Sequence, residues 1–291
     1  MNFVNEGIFH RLALPDWILS LYKFGRDTKT AYQELEMIEN RLASPGEHND
    51  LFSNLLQARE EEKDSSIALS DSDLMGNIFT LLMAGYETSA NTLAITLSFL
   101  SVYPEVQEKW YEQIKEHVRT GDLPAYTDIP HFTYGMENIQ EIKALMIPKE
   151  FARDTQIITF DANGQETPVP VPTGVDILLN VVALHNNPKY WDDPYTFRPE
   201  RFLGDYNRYA WLPFSACPRA CIGRRFAEVE MLAVLALIVQ RYEITPAHKP
   251  EFVHETEKER QARLTDIGKV SFVIQAQNVG LTLQRRDLEH L

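Results

Sequence analysis

The spacing of apolar and polar positions predicts a mainly helical chain. The longest apolar stretch, Leu74 to Leu100, has the length of a long helix, and Ser70 and Asp73 precede it with the spacing of a capping box. Pro104 stands at a favourable first-turn position for a second helix. This second helix covers residues 105–119. Further helical segments are predicted at residues 1–40, with interruptions, and at 224–235.

Short β-segments are predicted between the helices 105–119 and 224–235, and again near the C-terminal end. Thr155 to Phe160 and Gly174 to Asn180, with a turn at residues 161–164, predict a small antiparallel or mixed sheet. Lys269 to Ala276 and Val279 to Gln284 predict a C-terminal hairpin. The fold class expected from these segments is mainly α with a small β-sheet.

Composition and charge narrow the function classes. With 44% hydrophobic and 24% charged residues the chain can bury a core. A formal net charge of −14 argues against nucleic-acid partners and provides no basic face for anionic membranes. Neither a signal peptide nor a long apolar anchor is visible. Glu87 and Asn91 interrupt the apolar run 74–100, so burial in protein is favoured there over a membrane span.

One cysteine lies where a loop meets a helix. Pro218 cannot lie inside a helix and residues 224–235 form one, so Cys221 falls near the helix start. Free backbone N–H groups there favour a thiolate, and Arg219 adds positive charge. Gly223 leaves room for a flat ring close to the backbone. The arrangement suits a metal cofactor held by a single thiolate.

The two cysteines have possible roles other than binding a cofactor. Cys217 and Cys221 are the two cysteines in 291 residues, too few for a zinc or iron–sulfur site with several cysteine ligands. A disulfide between them is possible in principle, although so few cysteines are typical of intracellular proteins. Two buried, inert thiols are the plain alternative. The flanking Phe, Pro, Arg and Gly favour the cofactor.

These residues resemble the haem-binding loop of the cytochrome P450 family, whose pattern is Phe-x-x-Gly-x-Arg-x-Cys-x-Gly. Phe214, Arg219, Cys221 and Gly223 match it, whereas Cys217 stands in place of the first glycine. A side chain at that turn is expected to crowd the loop. The resemblance implies that Cys221 is the axial thiolate of the haem iron and that Arg219 pairs with a haem propionate.

A second segment, inside the run 74–100, is similar to the central helix of the same family. The resemblance implies that Ala84 and Gly85 leave space for dioxygen above the iron, and that Glu87 and Thr88 relay protons to it. Taken alone, these residues would indicate a buried core helix with a tolerated glycine. Their combination with the cysteine loop favours the family reading.

A third segment, residues 190–202, resembles the family's Pro-Glu-Arg-Phe meander. In the family, the arginine at the position of Arg201 binds an upstream Glu-x-x-Arg helix and holds the cysteine loop in place. Residues 134–148 contain no Glu-x-x-Arg, and the nearest match is Glu137-x-x-Gln140. We therefore expect that this helix is lost or rewritten and that the Arg201 charge lacks its usual partners.

The resemblance implies a cytochrome P450 fold of eukaryotic microsomal type, truncated at the N-terminal side, with residues 1–291 forming one partial domain. It implies a haem-dependent monooxygenase that takes electrons from NADPH through a flavoprotein reductase and inserts one atom of dioxygen into a lipophilic substrate. The alternative is a catalytically dead or misfolded remnant, or a non-enzymatic scaffold. The family usually resides at the endoplasmic reticulum membrane, but no anchor is visible here, so the localisation stays open.

Overall fold

The computed structural model describes residues 51–61, 70–119, 122–140, 142, 146–161, 163–252, 254–265, 267–270, 273–276 and 279–286. The helical segment expected at residues 1–40 lies outside these ranges. The chain divides into two compact units, Met1–Tyr86 and Glu87–Leu291. The cysteine loop and most of the described elements belong to the second unit.

Helices make up most of the described structure, which confirms the mainly helical fold class. They are α1 (Leu51–Glu61), α2 (Asp71–Val102), α3 (Pro104–His117), α4 (Thr133–Gln140), α5 (Val181–His185), α6 (Arg224–Arg241) and α7 (Glu257–Leu264). Short 3₁₀ turns lie at Ile129–His131, Pro199–Phe202, Arg208–Ala210, Cys217–Arg219 and Pro250–Phe252.

The start of α2 has the predicted capping box. The Asp73 N–H donates to Ser70 Oγ at 3.1 Å, and the Ser70 N–H donates to the Asp73 carboxylate, also at 3.1 Å. Because these contacts satisfy backbone donors that the first turn leaves free, the helix begins next to the predicted position. Pro104 occupies the first turn of α3, as predicted.

The core of the second unit forms where α3 packs on α6. Trp110 and Ile114 of α3 are fully buried in one apolar cluster with Leu235 of α6. Gln107, also buried, donates to the carbonyl oxygens of Leu100 and Ile244 at 3.0 Å each and accepts from the Ile244 N–H at 2.8 Å. A satisfied buried amide of this kind holds α3 against the end of α2 and against the strand that contains Ile244.

The strands form four two-stranded antiparallel sheets. They are β1 (Met146–Glu150), β2 (Thr155–Phe160), β3 (Glu166–Val171), β4 (Asp176–Asn180), β5 (Tyr242–Pro246), β6 (Ile267–Val270), β7 (Val273–Ala276) and β8 (Leu281–Arg285). The pairs are β1 with β4, β2 with β3, β5 with β8 and β6 with β7.

Two predicted pairings were wrong. The segment predicted to pair with Thr155 to Phe160 is β4, which pairs with β1 instead, and β2 takes the nearer β3. The predicted C-terminal hairpin is also replaced, because β8 pairs with β5 while β6 and β7 pair with each other. In the first case the strand positions were close and the choice of partner was the error, whereas the single segment predicted at 269–276 holds two strands, β6 and β7.

Gly135 tests the packing of α4 on α3. A Cβ atom added at Gly135 would overlap the indole ring of Trp110, which is fully buried. We expect Gly135→Ala to lower the free energy of unfolding by about 1–3 kcal/mol through overpacking, measured by thermal denaturation. Gly76→Ala is the control: a Cβ there meets nothing within 4 Å, so this change in α2 should be neutral or stabilising. Equal melting temperatures for the two variants would contradict the prediction.

Candidate functional site

The cysteine loop is closed by backbone hydrogen bonds. The Cys221 N–H donates to the Phe214 carbonyl oxygen at 2.9 Å, and the Ala220 N–H donates to the Cys217 carbonyl oxygen at 3.0 Å. α6 begins at Arg224 with Gly223 as its N-cap. Cys221 therefore lies just before the helix, where the sequence placed it.

The loop keeps its turn although a side chain replaces the glycine of the family pattern. Cys217 has a φ of 67°, and Ser215 has a φ of 61°, both in the left-handed region. Such a backbone costs a residue with a side chain about 1 kcal/mol or more. The Cys217 side chain is exposed, so the expected crowding of the loop does not prevent the turn.

The surface around Cys221 suits a flat apolar group. Cys221 is exposed, and Ile222 and Phe226 beside it are 92% and 71% exposed, although large apolar side chains are usually covered. A Cβ added at Gly223 meets nothing within 4 Å. Arg219 is exposed. A thiol, apolar cover and an exposed guanidinium are the groups that a haem with its propionates needs.

Aromatic side chains connect this loop to α4. The Trp211 Nε1–H donates to the Gln140 carbonyl oxygen at 3.0 Å, at the end of α4. The Trp211 and Phe214 rings meet edge to face at 6.3 Å between centroids. The Arg224 guanidinium lies 5.4 Å from both ring centroids, within cation–π distance. The position of the loop thus depends on α4 through these contacts.

The helix upstream of the meander was expected to be lost or rewritten, and the structure shows that it is not lost. α4 spans Thr133–Gln140 and includes Glu137, which is buried. The helix is therefore present through Gln140, and what differs from the family pattern is the missing arginine. Lys143, Ala144 and Leu145 lie outside the described residues.

Arg201 was expected to lack its usual partners in a Glu-x-x-Arg helix, but its charge is not left unsatisfied. Its guanidinium donates to three backbone carbonyl oxygens, those of Asp192 at 2.7 Å, Asp193 at 3.1 Å and Thr196 at 2.8 Å. These bonds fasten the meander to itself. Carbonyl oxygens are acceptors for guanidinium N–H groups, so these bonds offset the cost of removing the Arg201 charge from water.

The strongest electrostatic perturbation lies in α4. Burial, and then the negative charge of Glu200, raise the pKa of Glu137 from 4.5 to about 7. Its Oε2 atom has no hydrogen-bond partner among the described residues. Burial opposes the Glu200 charge, but hydrogen bonds from Lys109 and Tyr134 outweigh it and lower the pKa of Glu200. Burial and the bond to Glu200 raise the pKa of Tyr134.

The four predicted residues of the central helix lie on α2. Ala84, Gly85 and Thr88 are exposed and Glu87 is half-buried. A Cβ at Gly85 would meet nothing within 4 Å. The division between the two units falls between Tyr86 and Glu87. It stays a prediction that Ala84 and Gly85 leave space for dioxygen and that Glu87 and Thr88 relay protons.

Sequence reasoning missed a cavity in the second unit. Its volume is about 460 Å³, and Phe99, Tyr103, Phe197 and Lys258 are among its lining residues. The rings of Phe99 and Phe197 lie 4.7 Å apart between centroids. Residues 214–223 are not part of the described lining. No local sequence motif predicts this cavity, because many of its lining residues come from α2, the meander and α7, which are distant from one another in sequence.

Neither a metal-binding cluster nor a membrane-spanning helix is found among the described residues. Within them, no group of three or more His, Cys, Asp or Glu side chains could bind a metal ion. None of the helices in the same ranges combines the length and apolar character needed to cross a membrane.

Comparison with known proteins decides the family. The sequence profile named Cytochrome P450 matches residues 9–271. The chain belongs to the cytochrome P450 family. This membership confirms the predicted recognition and fold, and haem dependence is a property of that family.

Several curated P450 relatives align along most of the chain. It is 42% identical to Cytochrome P450 monooxygenase 124 of Postia placenta, over 98% of this chain and 58% of that protein. It is 33% identical to Cyclooctat-9-en-7-ol 5-monooxygenase of Streptomyces melanosporofaciens, over 84% of this chain and 54% of that protein. It is 30% identical to Cytochrome P450 3A31 of Mesocricetus auratus, over 84% and 51%. The chain thus spans little more than half the length of these relatives.

Glu137 makes the stability of this P450 chain depend on pH. Because its pKa is raised on folding, its neutral form contributes stability that is complete below pH 4.5 and is lost as pH rises through about 7. We expect Glu137→Gln to raise the melting temperature relative to the native chain at pH 8 and to change it little at pH 5. The gain at pH 8 should not exceed roughly 3 kcal/mol.

The control for this pH series is Glu116→Gln, since Glu116 is exposed on α3. Its melting temperature should follow that of the native chain from pH 5 to pH 8. A Glu137→Gln curve that runs parallel to the native curve over this range would show that Glu137 is not the titrating group.

Proposed function

We propose that this protein is a haem-thiolate monooxygenase that acts on a lipophilic substrate, with electrons from NADPH delivered by a flavoprotein reductase. The observation that carries the proposal is the exposed Cys221 thiol, held on a closed loop directly before α6 in a chain of the cytochrome P450 family. Two relatives are themselves named monooxygenases. Residues 1–291 belong, in this proposal, to one cytochrome P450 domain.

The cysteine loop supplies the groups that hold the cofactor. Cys221 Sγ would bind the haem iron, and the Arg219 guanidinium would pair with a propionate. Phe214 closes the loop through its carbonyl oxygen, and Gly223 leaves the backbone open to the ring. When bound, haem supplies the iron at which dioxygen is activated, and a thiolate ligand favours cleavage of the O–O bond.

Residues of α2 act on the oxygen side in this proposal. Ala84 and Gly85 lack bulky side chains and leave room for dioxygen. The Glu87 carboxyl and the Thr88 hydroxyl hold and pass protons, as a positioned acid and alcohol can. The Asn91 side chain donates to the Glu87 carbonyl oxygen at 2.8 Å, one turn further along the helix.

The alternative of a dead remnant rested on the expected loss of the Glu-x-x-Arg helix and of the N-terminal half of the fold. The helix is present through Gln140, and the Arg201 guanidinium is satisfied by carbonyl oxygens. Neither the comparisons nor the described residues favour a non-enzymatic role. The spectral experiment on Cys221 decides between the two readings.

Cys221 should be required for a thiolate-ligated spectrum. The chain expressed with haem supply should give a reduced, carbon monoxide-bound Soret band at the thiolate position, and Cys221→Ser should lose that band because it lacks the sulfur ligand. Cys217→Gly is the matched control in the same loop. It should keep the band and raise the melting temperature, because glycine tolerates a φ of 67°.

A native chain without the thiolate band, or a Cys221→Ser variant that keeps it, would overturn the proposal. In the first case the remnant reading stands. In the second case another residue binds the iron.

Thr88 should affect how efficiently electrons reach product. In the haem-loaded chain with reductase, we expect Thr88→Ala to release more hydrogen peroxide per NADPH consumed, because loss of the hydroxyl interrupts proton delivery. Thr92→Ala is the control one turn on; the Thr92 hydroxyl donates to the Thr88 carbonyl oxygen at 2.9 Å. Equal peroxide yields in the two variants and the native chain would remove Thr88 from the relay.

A further inference from the structure

One carboxylate joins three elements of the second unit. Glu200 Oε1 accepts hydrogen bonds from Lys109 Nζ at 2.6 Å and from the Tyr134 hydroxyl at 2.9 Å. Lys109 lies on α3, Tyr134 on α4 and Glu200 in the 3₁₀ turn Pro199–Phe202 of the meander. The three residues are distant in sequence, so their contact fixes tertiary structure rather than local structure.

The chain lacks the Glu-x-x-Arg motif that the family pattern places upstream of the meander. Residues 134–148 hold no Glu-x-x-Arg, so no arginine of that motif reaches from α4 to the meander. Arg201 directs its guanidinium to carbonyl oxygens within residues 192–196. One residue earlier, Glu200 makes a side-chain contact with α4 through the Tyr134 hydroxyl.

We propose that Lys109, Tyr134 and Glu200 form a clamp that positions α4 and, through α4, the cysteine loop. Glu200 is its central positioning residue. The clamp takes over a task that the family pattern assigns to an arginine this chain lacks. The proposal rests on the proposed function only for what the loop holds; the positioning itself concerns the chain alone.

A continuous series of contacts leads from the clamp to Cys221. Tyr134 and Gln140 are the second and last residues of α4. The Gln140 carbonyl oxygen accepts from Trp211 Nε1 at 3.0 Å, and Trp211 meets the Phe214 ring. The Phe214 carbonyl oxygen then accepts from the Cys221 N–H at 2.9 Å. A shift of α4 therefore reaches the loop through directional bonds.

Burial ranks the members of the clamp. Tyr134 is 8% exposed, so its hydroxyl bond to Glu200 is shielded from water. The Lys109 side chain is 59% exposed and that of Glu200 34% exposed, so their ion pair is the weaker contact. A second tie supports the same placement, since the Tyr134 N–H donates to Gln113 Oε1 at 3.1 Å. Loss of the tyrosine hydroxyl should hence matter more than loss of the lysine.

The test compares Tyr134→Phe, Glu200→Met and the double variant in the full chain. Each single change should lower the melting temperature by about 2–4 °C, and the double variant should fall no further than the worse single one, because both remove the same bond. Lys109→Met should have a smaller effect. Glu112→Gln, which removes an exposed contact to Lys115 on the same helix, is the matched control and should change nothing.

Hydrogen exchange separates positioning from general stability. Well below the melting temperature, amide exchange of peptide 214–223 should accelerate in Tyr134→Phe and Glu200→Met, while exchange of β5 and β8 stays native. Unchanged exchange in peptide 214–223, or equal acceleration in all peptides, would overturn the proposal. Additive melting temperatures in the double variant would do so as well.

These readouts do not require haem. If the native chain gives no thiolate band but the exchange response is local, the proposed function fails and the clamp stands. If the native band is present and peptide 214–223 does not respond, the clamp fails and the proposed function stands.

Discussion

The site depends on one backbone hydrogen bond, from the Cys221 N–H to the Phe214 carbonyl oxygen. It closes a loop that would otherwise have to run directly into α6, and it holds the thiol ahead of the first helical turn. Ser215 and Cys217 adopt left-handed backbone conformations within that loop. Because such conformations cost free energy in residues with side chains, the contacts around Trp211 and Arg224 must hold the loop in place.

Through those contacts the position of the loop depends on α4, and α4 carries a buried carboxyl group at Glu137. Glu137 is buried, with one oxygen unpartnered among the described residues, whereas Glu200 is stabilised as an anion by two donors. The two carboxyl groups repel each other, and the better solvated and bonded Glu200 keeps the charge. Glu200 thus holds α4 in place through the Tyr134 hydroxyl, whereas ionising the buried Glu137 lowers the stability of the fold.

The sequence allowed prediction of features that are set by neighbouring residues. The capping box at Ser70, the long α2 helix and the position of Cys221 before α6 all follow from residues within a few positions. Strand partners did not, because the pairing of β5 with β8 depends on residues about forty positions apart. Arg201 could not be placed either, since its partners are backbone carbonyl oxygens that every residue type possesses.

Two departures from the family pattern therefore have different physical consequences. A cysteine in place of a glycine changes the cost of a backbone conformation that any residue can adopt, so the loop keeps its turn at Cys217. A missing arginine removes a planar set of donors that no side chain of α4, Thr133–Gln140, reproduces. Its effect has to be met by residues elsewhere in the fold, and Lys109 and Tyr134 are where this chain brings donors to the meander. A lost backbone preference is thus absorbed locally, whereas a lost charge network is replaced only by side chains brought together by the tertiary fold.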